Sequence, residues 1–360
     1  MIKKRTTYVI AEAGVNHNGS IALAIKLIDA AAHAGADAVK FQTFKAKELV
    51  SASAPKAKYQ MASTSTSESQ LDMLKKLELD ETAHDILSKY CKMRRIQFLS
   101  TPFDEESINM LAQRIKVPVL KLPSGEITNG PLLLKAARTK KPVILSTGMS
   151  TLTEIREALG VLAFGYITQN EKPSLTACRA AFKSNAGYRA LQANVALLHC
   201  TTDYPAAFKD VNLCAMDTMR VAFGLPVGLS DHTQGIAVSI AAVALGATII
   251  EKHFTLDRTL PGPDHKASLM PEELCQLVQS IQEIEAALGS SRKGPSGSEV
   301  KNIKMARRSL VAIEDISIRE LFTTRNLGCK RPGTGISPMQ YWSFIGRKAS
   351  KKYFKDELIK

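Results

Sequence analysis

Along the first 290 residues the hydrophobic and polar positions repeat one figure. A short apolar, β-branched run is followed by a polar or glycine-bearing loop, then by a longer stretch with apolar residues at every third or fourth place. The short runs fall at 8–13, 38–43, 97–101, 119–122, 143–146, 195–199, 227–230 and 249–253. The longer stretches fall at 21–34, 81–93, 105–115, 131–139, 152–164, 213–222, 236–245 and 271–288. Compact β-branched runs predict buried strands, and the 3.6-residue period predicts amphipathic helices. Eight of each in alternation predict an α/β protein, a (β/α)8 TIM barrel. An open doubly wound sheet would also alternate, but it has no reason to stop at eight.

Two segments break the rhythm. Residues 51–67, rich in Ser, Ala, Thr and Lys, predict a long loop after the second strand. Residues 165–194 exceed what a helix-to-strand link needs, and predict one extra helix at 175–183 on the side away from the expected site, as a tolerated insertion. Residues 289–297 (GSSRKGPSG) have linker composition. The predicted division is a barrel at 1–288, a linker at 289–303 and a small domain at 304–360. So small a core is marginal alone.

Composition narrows the class. Apolar residues make up 45% and charged residues 23%, which excludes a disordered chain. No stretch approaches the roughly 18 apolar residues of a membrane helix. The basic start carries Glu12 within its apolar run and does not read as a secretory signal, and the KDEL string at 355–358 is not terminal. Six cysteines without a CxxC pair read as reduced thiols of a cytoplasmic protein. The net charge is +14, and residues 291–360 hold sixteen Lys/Arg against six Asp/Glu. Such a tail suits a nucleic-acid module, but it carries no known basic motif; the other reading is a basic domain over an anionic-substrate site.

Barrel chemistry lies at the C-terminal ends of the strands. Those ends read Glu12, Lys40 with Gln42, Thr101, Lys121, Ser146, His199, Ser230 with His232, and His253. Lys40, Lys121, Ser124, Ser146 and Ser230 suit an anion with several oxygens. Taken singly, each lysine could equally pair with Glu12 or Glu126. His232 and His253 end neighbouring strands and can reach one divalent ion, although a buried histidine is often only hydrogen-bonded. Glu12 could be a ligand, a base or a partner for Lys40. Asp264 sits in a PGPDHK turn, where it is either turn chemistry or a contact for a substrate hydroxyl. There is no Walker loop, GxGxxG or GxSxG, so nothing supports a nucleotide enzyme or a serine hydrolase.

Taken in order, ten strings resemble the sialic acid synthase family, which makes nine-carbon 2-keto sugar acids from phosphoenolpyruvate. They are IAEAGVNHNGS, ADAVKFQT, FLSTPFD, KLPSGEITN, ILSTGMS, LLHCTTDYP, VGLSDHT, EKHFT, GPDHKAS and KRPGTGISP, spanning Ile10 to Pro338. The resemblance implies a TIM barrel followed by an antifreeze-like (SAF) domain. It assigns phosphoenolpyruvate to Lys40, Thr101, Lys121, Ser124, Ser146 and Ser230. It assigns a divalent metal, manganese before magnesium or cobalt, to His232 and His253, with Glu12 beside it as a catalytic group. It assigns an N-acylated mannosamine-type sugar to Gln42, Phe103, Glu126, Tyr204 and Asp264. Arg331 is implied to reach over the other subunit's site in a homodimer with exchanged SAF tails, with no nucleic acid or membrane as partner. Where many N-acetylneuraminate-making relatives read TNxYP, residues 201–205 read TTDYP, similar to the legionaminate-making branch. N,N'-diacetyllegionaminate is therefore the favoured product, with N-acetylneuraminate next. The alternative enzyme is a related synthase of heptulosonate or octulosonate phosphates, which would want a second cationic cluster for the sugar phosphate.

Overall fold

The computed structural model describes residues 7–51, 54–56, 61 and 68–360. Most of the loop expected at 51–67 lies outside the described residues. The chain divides into two compact units, Met1–Gly289 and Ser290–Lys360.

The first unit is a barrel of eight parallel strands: β1 (Tyr8–Gly14), β2 (Ala38–Thr43), β3 (Gln97–Pro102), β4 (Leu120–Leu122), β5 (Val143–Ser146), β6 (Val195–Cys200), β7 (Val227–Asp231) and β8 (Ile249–His253). Their order is β3-β2-β1-β8-β7-β6-β5-β4, and β3 lies against β4 to close the ring. The helices between them pack by apolar faces, and several begin at a capping side chain. Ser20, Asp80 and Asp104 each accept a backbone N–H in the first turn of the helices at Ile21–His33, Glu81–Arg94 and Glu105–Asn109. Thr151 and Glu154 form a capping box on Leu152–Ile167. The third predicted helix is α-helical only to Asn109 and continues as a wider π turn over Met110–Ile115. The insertion holds two helices, Leu175–Lys183 and Asn185–Asn194, rather than the one expected. Ser184 ends the first and caps the second, so one hydroxyl splits a stretch that looks continuous in composition.

Strand alternation divides the core in two. Val9, Ala11, Val39 and Leu197 face outward and pack under the helices. Ile10, Ala38, Leu99, Ile144, Leu198 and Ile249 face inward and plug the barrel. β7 contributes Gly228 to that plug, because a Cβ there would stand 2.8 Å from the Leu198 side chain. The barrel interior is thus filled, as its size requires.

In the second unit, β9 (Ser309–Ala312) pairs antiparallel with β10 (Leu327–Lys330). Its core is Leu310, Ala312, Ile316, Phe322, Leu327, Tyr353 and Ile359. A helix stands at Gly297–Ala306, started by a Ser296–Glu299 capping box, where composition suggested linker. The polar composition of that stretch belongs to a helix with no buried residue. All six cysteines are free, and among the described residues no helix is long and apolar enough to cross a membrane.

Candidate active site

Because side chains alternate along a strand, the residue two places beyond each inward plug residue points into the same bore, one step nearer the C-terminal mouth. Counting on from Ile10, Ala38, Leu99, Ile144, Leu198 and Ile249 gives Glu12, Lys40, Thr101, Ser146, Cys200 and Glu251. Val119, which packs against the plug, leads to Lys121 and Gly228 leads to Ser230. Every strand therefore places one polar residue directly above the apolar plug, and all eight line one cavity of about 300 Å³. Two residues further on, Gln42, Phe103, Thr202, His232 and His253 line its walls, together with Ser124, Tyr204 and Asp264.

Strand phase decides which strand-end residues reach the bore. His199 is out of step with Leu198 and Cys200, so it turns from the bore, and its ring binds the Val211 carbonyl at 2.6 Å. Cys200 takes its place. Glu126 does not line the cavity; it ends the short turn Ser124–Glu126 and accepts from the Asn129 amide at 2.6 Å. Arg331 lies in the second unit, where its Nε donates to the Ala306 carbonyl at 3.0 Å. Glu251, absent from the expected set, is in phase with His253 two residues later. That spacing was the signal available for it.

The eight-residue tier is an ion cluster. Lys40 Nζ sits 2.8 Å from Glu12 Oε2 and 3.6 Å from Glu251 Oε2, and donates to Thr101 Oγ1 at 2.7 Å. Lys121 Nζ is 3.4 Å from Glu251 Oε1, which also accepts from Ser230 Oγ at 2.7 Å. Burial pushes Glu12 up to about 7. Burial opposes ionisation at Glu251 too, but the Lys121 and Lys40 ammoniums outweigh it and hold that carboxyl down to about 2. Two carboxyls sharing cations are thus driven apart, leaving Glu251 ionised and Glu12 the one that exchanges a proton near neutrality. Burial lowers Lys121. The Ser146 hydroxyl is buried without a hydrogen-bond partner.

Gly14 opens the end of β1 above Glu12. Its φ is +51°, and a Cβ there would press on Glu12, Gln42 and His253 at 3.3–3.5 Å. Gly148 does the same service across the bore. Its N–H donates to Ser124 Oγ at 2.9 Å, and a Cβ would collide with the Thr202 hydroxyl.

His232 and His253 lie side by side with ring centroids 5.5 Å apart, and Tyr204 stands 4.1 Å from the first and 5.5 Å from the second. His232 Nδ1 donates to the Thr201 carbonyl at 2.6 Å, which in the neutral ring leaves Nε2 as the lone-pair donor. Burial strongly lowers His253, so its ring is neutral. Its buried Nδ1 has no hydrogen-bond partner and lies 3.7 Å from the Asp264 carboxylate. Burial raises Asp264 to about 6.

A divalent ion fits this corner. Three carboxyls (Glu12, Glu251 and Asp264) face two ammoniums (Lys40 and Lys121) in the cavity. An anion entering it therefore needs a further cation or added protons. Two imidazole nitrogens beside a carboxylate are the donor set of a borderline metal. Among the described residues no three His, Cys, Asp or Glu side chains converge on one point. The site that fits is accordingly an open one, completed by water or substrate oxygens.

Behind the histidines lies a second ion pair that sequence reading missed. Asp231 and Lys252 precede them on facing strands, are paired in register, and point outward from the bore. Lys252 Nζ is 2.9 Å from Asp231 Oδ2 and donates to the Thr233 carbonyl at 2.5 Å. Ser239 Oγ donates to Oδ2, and the Thr233 N–H and hydroxyl donate to Oδ1. This pair ties the ends of β7 and β8 together, which sets the spacing of the two rings.

Known proteins resemble this chain in sequence and fold. Residues 27–293 match the NeuB family. The chain is 52% identical over 356 residues to the N,N'-diacetyllegionaminic acid synthase of Campylobacter jejuni, covering 99% of each. It is 46% identical over 345 residues to the protein of that name in Legionella pneumophila, covering 96% of this chain and 91% of that one. The solved N-acetylneuraminic acid synthetase of Leptospira borgpetersenii, in complex with citrate, superposes with a TM-score of 0.67 at 35% identity, over 82% of this chain and 90% of that one.

Proposed function

Because the chain belongs to the NeuB family, we propose that it condenses phosphoenolpyruvate with an N-acylated mannosamine-type aldose, giving a nine-carbon 2-keto sugar acid and phosphate. The favoured sugar is 2,4-diacetamido-2,4,6-trideoxymannose and the favoured product N,N'-diacetyllegionaminate. The identity to two proteins of that name supports this choice, as does TTDYP at 201–205.

C3 of phosphoenolpyruvate bonds to C1 of the aldehyde, water adds at C2, and phosphate leaves with the C2–O bond that breaks. One observation carries the reading: a tier with one polar residue from each strand, holding two buried ammoniums and hydroxyls, directly beneath two adjacent imidazoles. Lys40, Lys121, Thr101, Ser124, Ser146 and Ser230 hold the carboxylate and phosphate oxygens. Charge-assisted bonds of this kind are the strong ones, and burial removes competing water. Glu12, poised near neutrality, exchanges the proton of the attacking water or the new C1 hydroxyl. Gln42, Phe103, Tyr204 and Asp264 orient the sugar, and orientation of two bound reactants is worth roughly 7–11 kcal/mol. A divalent ion held by His232 and His253, manganese by preference, would supply Lewis-acid polarisation of the aldehyde.

We extend the proposal to the second unit. It is an SAF-like domain whose Arg331 reaches the sugar of a partner subunit, in a cytoplasmic homodimer. Mixed Lys121→Ala and Arg331→Ala subunits then regain activity that neither has alone; exchange without recovery removes the partner role.

The direct test is phosphate release from phosphoenolpyruvate. It is expected with the diacetamido sugar, more weakly with N-acetylmannosamine, and not without sugar. Release with arabinose 5-phosphate instead, or in the absence of any aldose, overturns the assignment.

A further inference from the structure

The cavity has two unlike sides. Its floor and the wall above β4 to β8 are polar, and the proposed reaction uses them. The wall above β1 to β3 is mainly apolar, with Gln42 and Gln70 as its polar members. Val15 comes from the loop after β1, and Phe103 from the loop after β3. Leu49, Met73, Leu74 and Leu77 come from the long excursion after β2, where short helices lie at Ala46–Leu49 and Gln70–Lys75. These residues belong to a small hydrophobic cluster separate from both barrel cores, built around Phe44 and Ala46, with Phe44 edge-on to Phe103 at 6.1 Å. Holding the loop together accounts for Phe44 and Ala46. It does not account for six large apolar side chains facing a cavity whose floor carries two carboxyls and two ammoniums.

We propose that Val15, Leu49, Met73, Leu74, Leu77 and Phe103 form an apolar subsite for the end of the sugar remote from its aldehyde, and that it selects a methyl at C6 over a hydroxymethyl. This rests on the sugar class proposed above and deepens it. The aldehyde must approach the imidazoles and the bound enol phosphate, which fixes one end of the substrate at the polar floor. The other end then meets the wall over β1 to β3. A C6 methyl is desolvated there at no cost in hydrogen bonds, whereas a C6 hydroxyl loses its water and finds no partner among these six side chains. An apolar pocket rejects an added hydroxyl only moderately, by about 10- to 100-fold.

The test compares kcat/KM for 2,4-diacetamido-2,4,6-trideoxymannose with that for its 6-hydroxy counterpart, sugars that differ by one oxygen. The wild-type protein is expected to prefer the deoxy sugar by about 10- to 100-fold. Leu74→Gln and Met73→Gln are expected to bring the ratio within about threefold of unity, while Leu74→Met keeps it. Both sugars are measured on one preparation, so partial folding of a variant cancels from the ratio. Leu49→Gln, at a half-buried position, carries the same test should the buried variants fail to accumulate. If the wild-type protein turns over N-acetylmannosamine but neither diacetamido sugar, the proposed sugar class falls. If it turns over both diacetamido sugars without preference, or the glutamine variants keep the full preference, the subsite falls and the sugar class stands.

Discussion

Two buried ion clusters lie within one strand's width of each other in this barrel, and they are built to opposite ends. Asp231–Lys252 is closed: both carboxylate oxygens are bound by Lys252, Ser239 and Thr233, and it faces away from the bore. The Glu12–Lys40–Glu251–Lys121 cluster is open. It faces a cavity, holds more carboxyl than ammonium beside Asp264, and borders a hydroxyl with no partner. A buried charge with every lone pair occupied is part of the architecture. One left short of partners in a cavity is waiting for a ligand. Burial alone does not tell the two apart, because all these residues are almost fully enclosed.

Four experiments break or sharpen that contrast. The largest effect belongs to the open cluster: stripping divalent metal is expected to lower turnover by about a thousandfold or more, the size of a Lewis-acid contribution of several kcal/mol, and manganese restores it. Full activity after exhaustive chelation would leave the two histidines a hydrogen-bonding role only. Next, Lys121→Met is expected to reduce kcat/KM by about 100- to 1,000-fold with only a small cost in denaturant unfolding, because Lys40 still faces Glu251. A large loss of stability would mean that the open cluster is structural after all.

The closed pair should answer in the opposite currency. Asp231→Ala leaves Lys252 buried without its counter-charge and is expected to cost about 3–5 kcal/mol in denaturant unfolding, with Asp231→Leu/Lys252→Met recovering much of it. Equal costs for Asp231→Ala and Lys121→Met would erase the distinction. The smallest effect is a titration. Burial lowers His17 to about 4, so it is neutral in the folded chain and takes up a proton mainly on unfolding. Its contribution to stability is complete above pH 6.5 and is lost as pH falls towards 4. Glu12 and Asp264, raised to about 7 and 6, act in the opposite sense over much of that range. The measurement is therefore a difference between wild type and His17→Gln, which is expected to move by about 2 kcal/mol in the variant's favour between pH 7.5 and pH 5. A difference that does not change with pH removes the buried-neutral assignment.

The barrel was legible because its signal is periodic and repeated eight times, so errors of a residue or two at each end do no harm. Most of the site followed, since strand ends in a barrel face one mouth. On the strands, what was misplaced was misplaced by phase. His199 and Cys200 are neighbours, and only the plug residue Leu198 says which of them faces inward. Glu251 and Lys252 sat in plain view in EKHFT, but adjacent residues on a strand look in opposite directions. The apolar wall was illegible for another reason: Leu49, Met73, Leu74 and Leu77 belong to an excursion without a strand register, and only the fold brings them to Phe103 and Val15. The expected linker at 289–303 contains most of a helix, because capping residues and linker residues draw on the same small polar set.

The tier above the plug takes one residue from every strand, which makes the site a property of the closed ring and of no part of it. Neither half of the gene encodes an anion site, and a fragment ending before β8 lacks Glu251 and His253 together. A chain leaving the ribosome thus has nothing to offer phosphoenolpyruvate until its eighth strand has docked against its first. From that moment ligand binding and ring closure are linked equilibria, so that the substrate acts on the barrel as a hoop acts on staves.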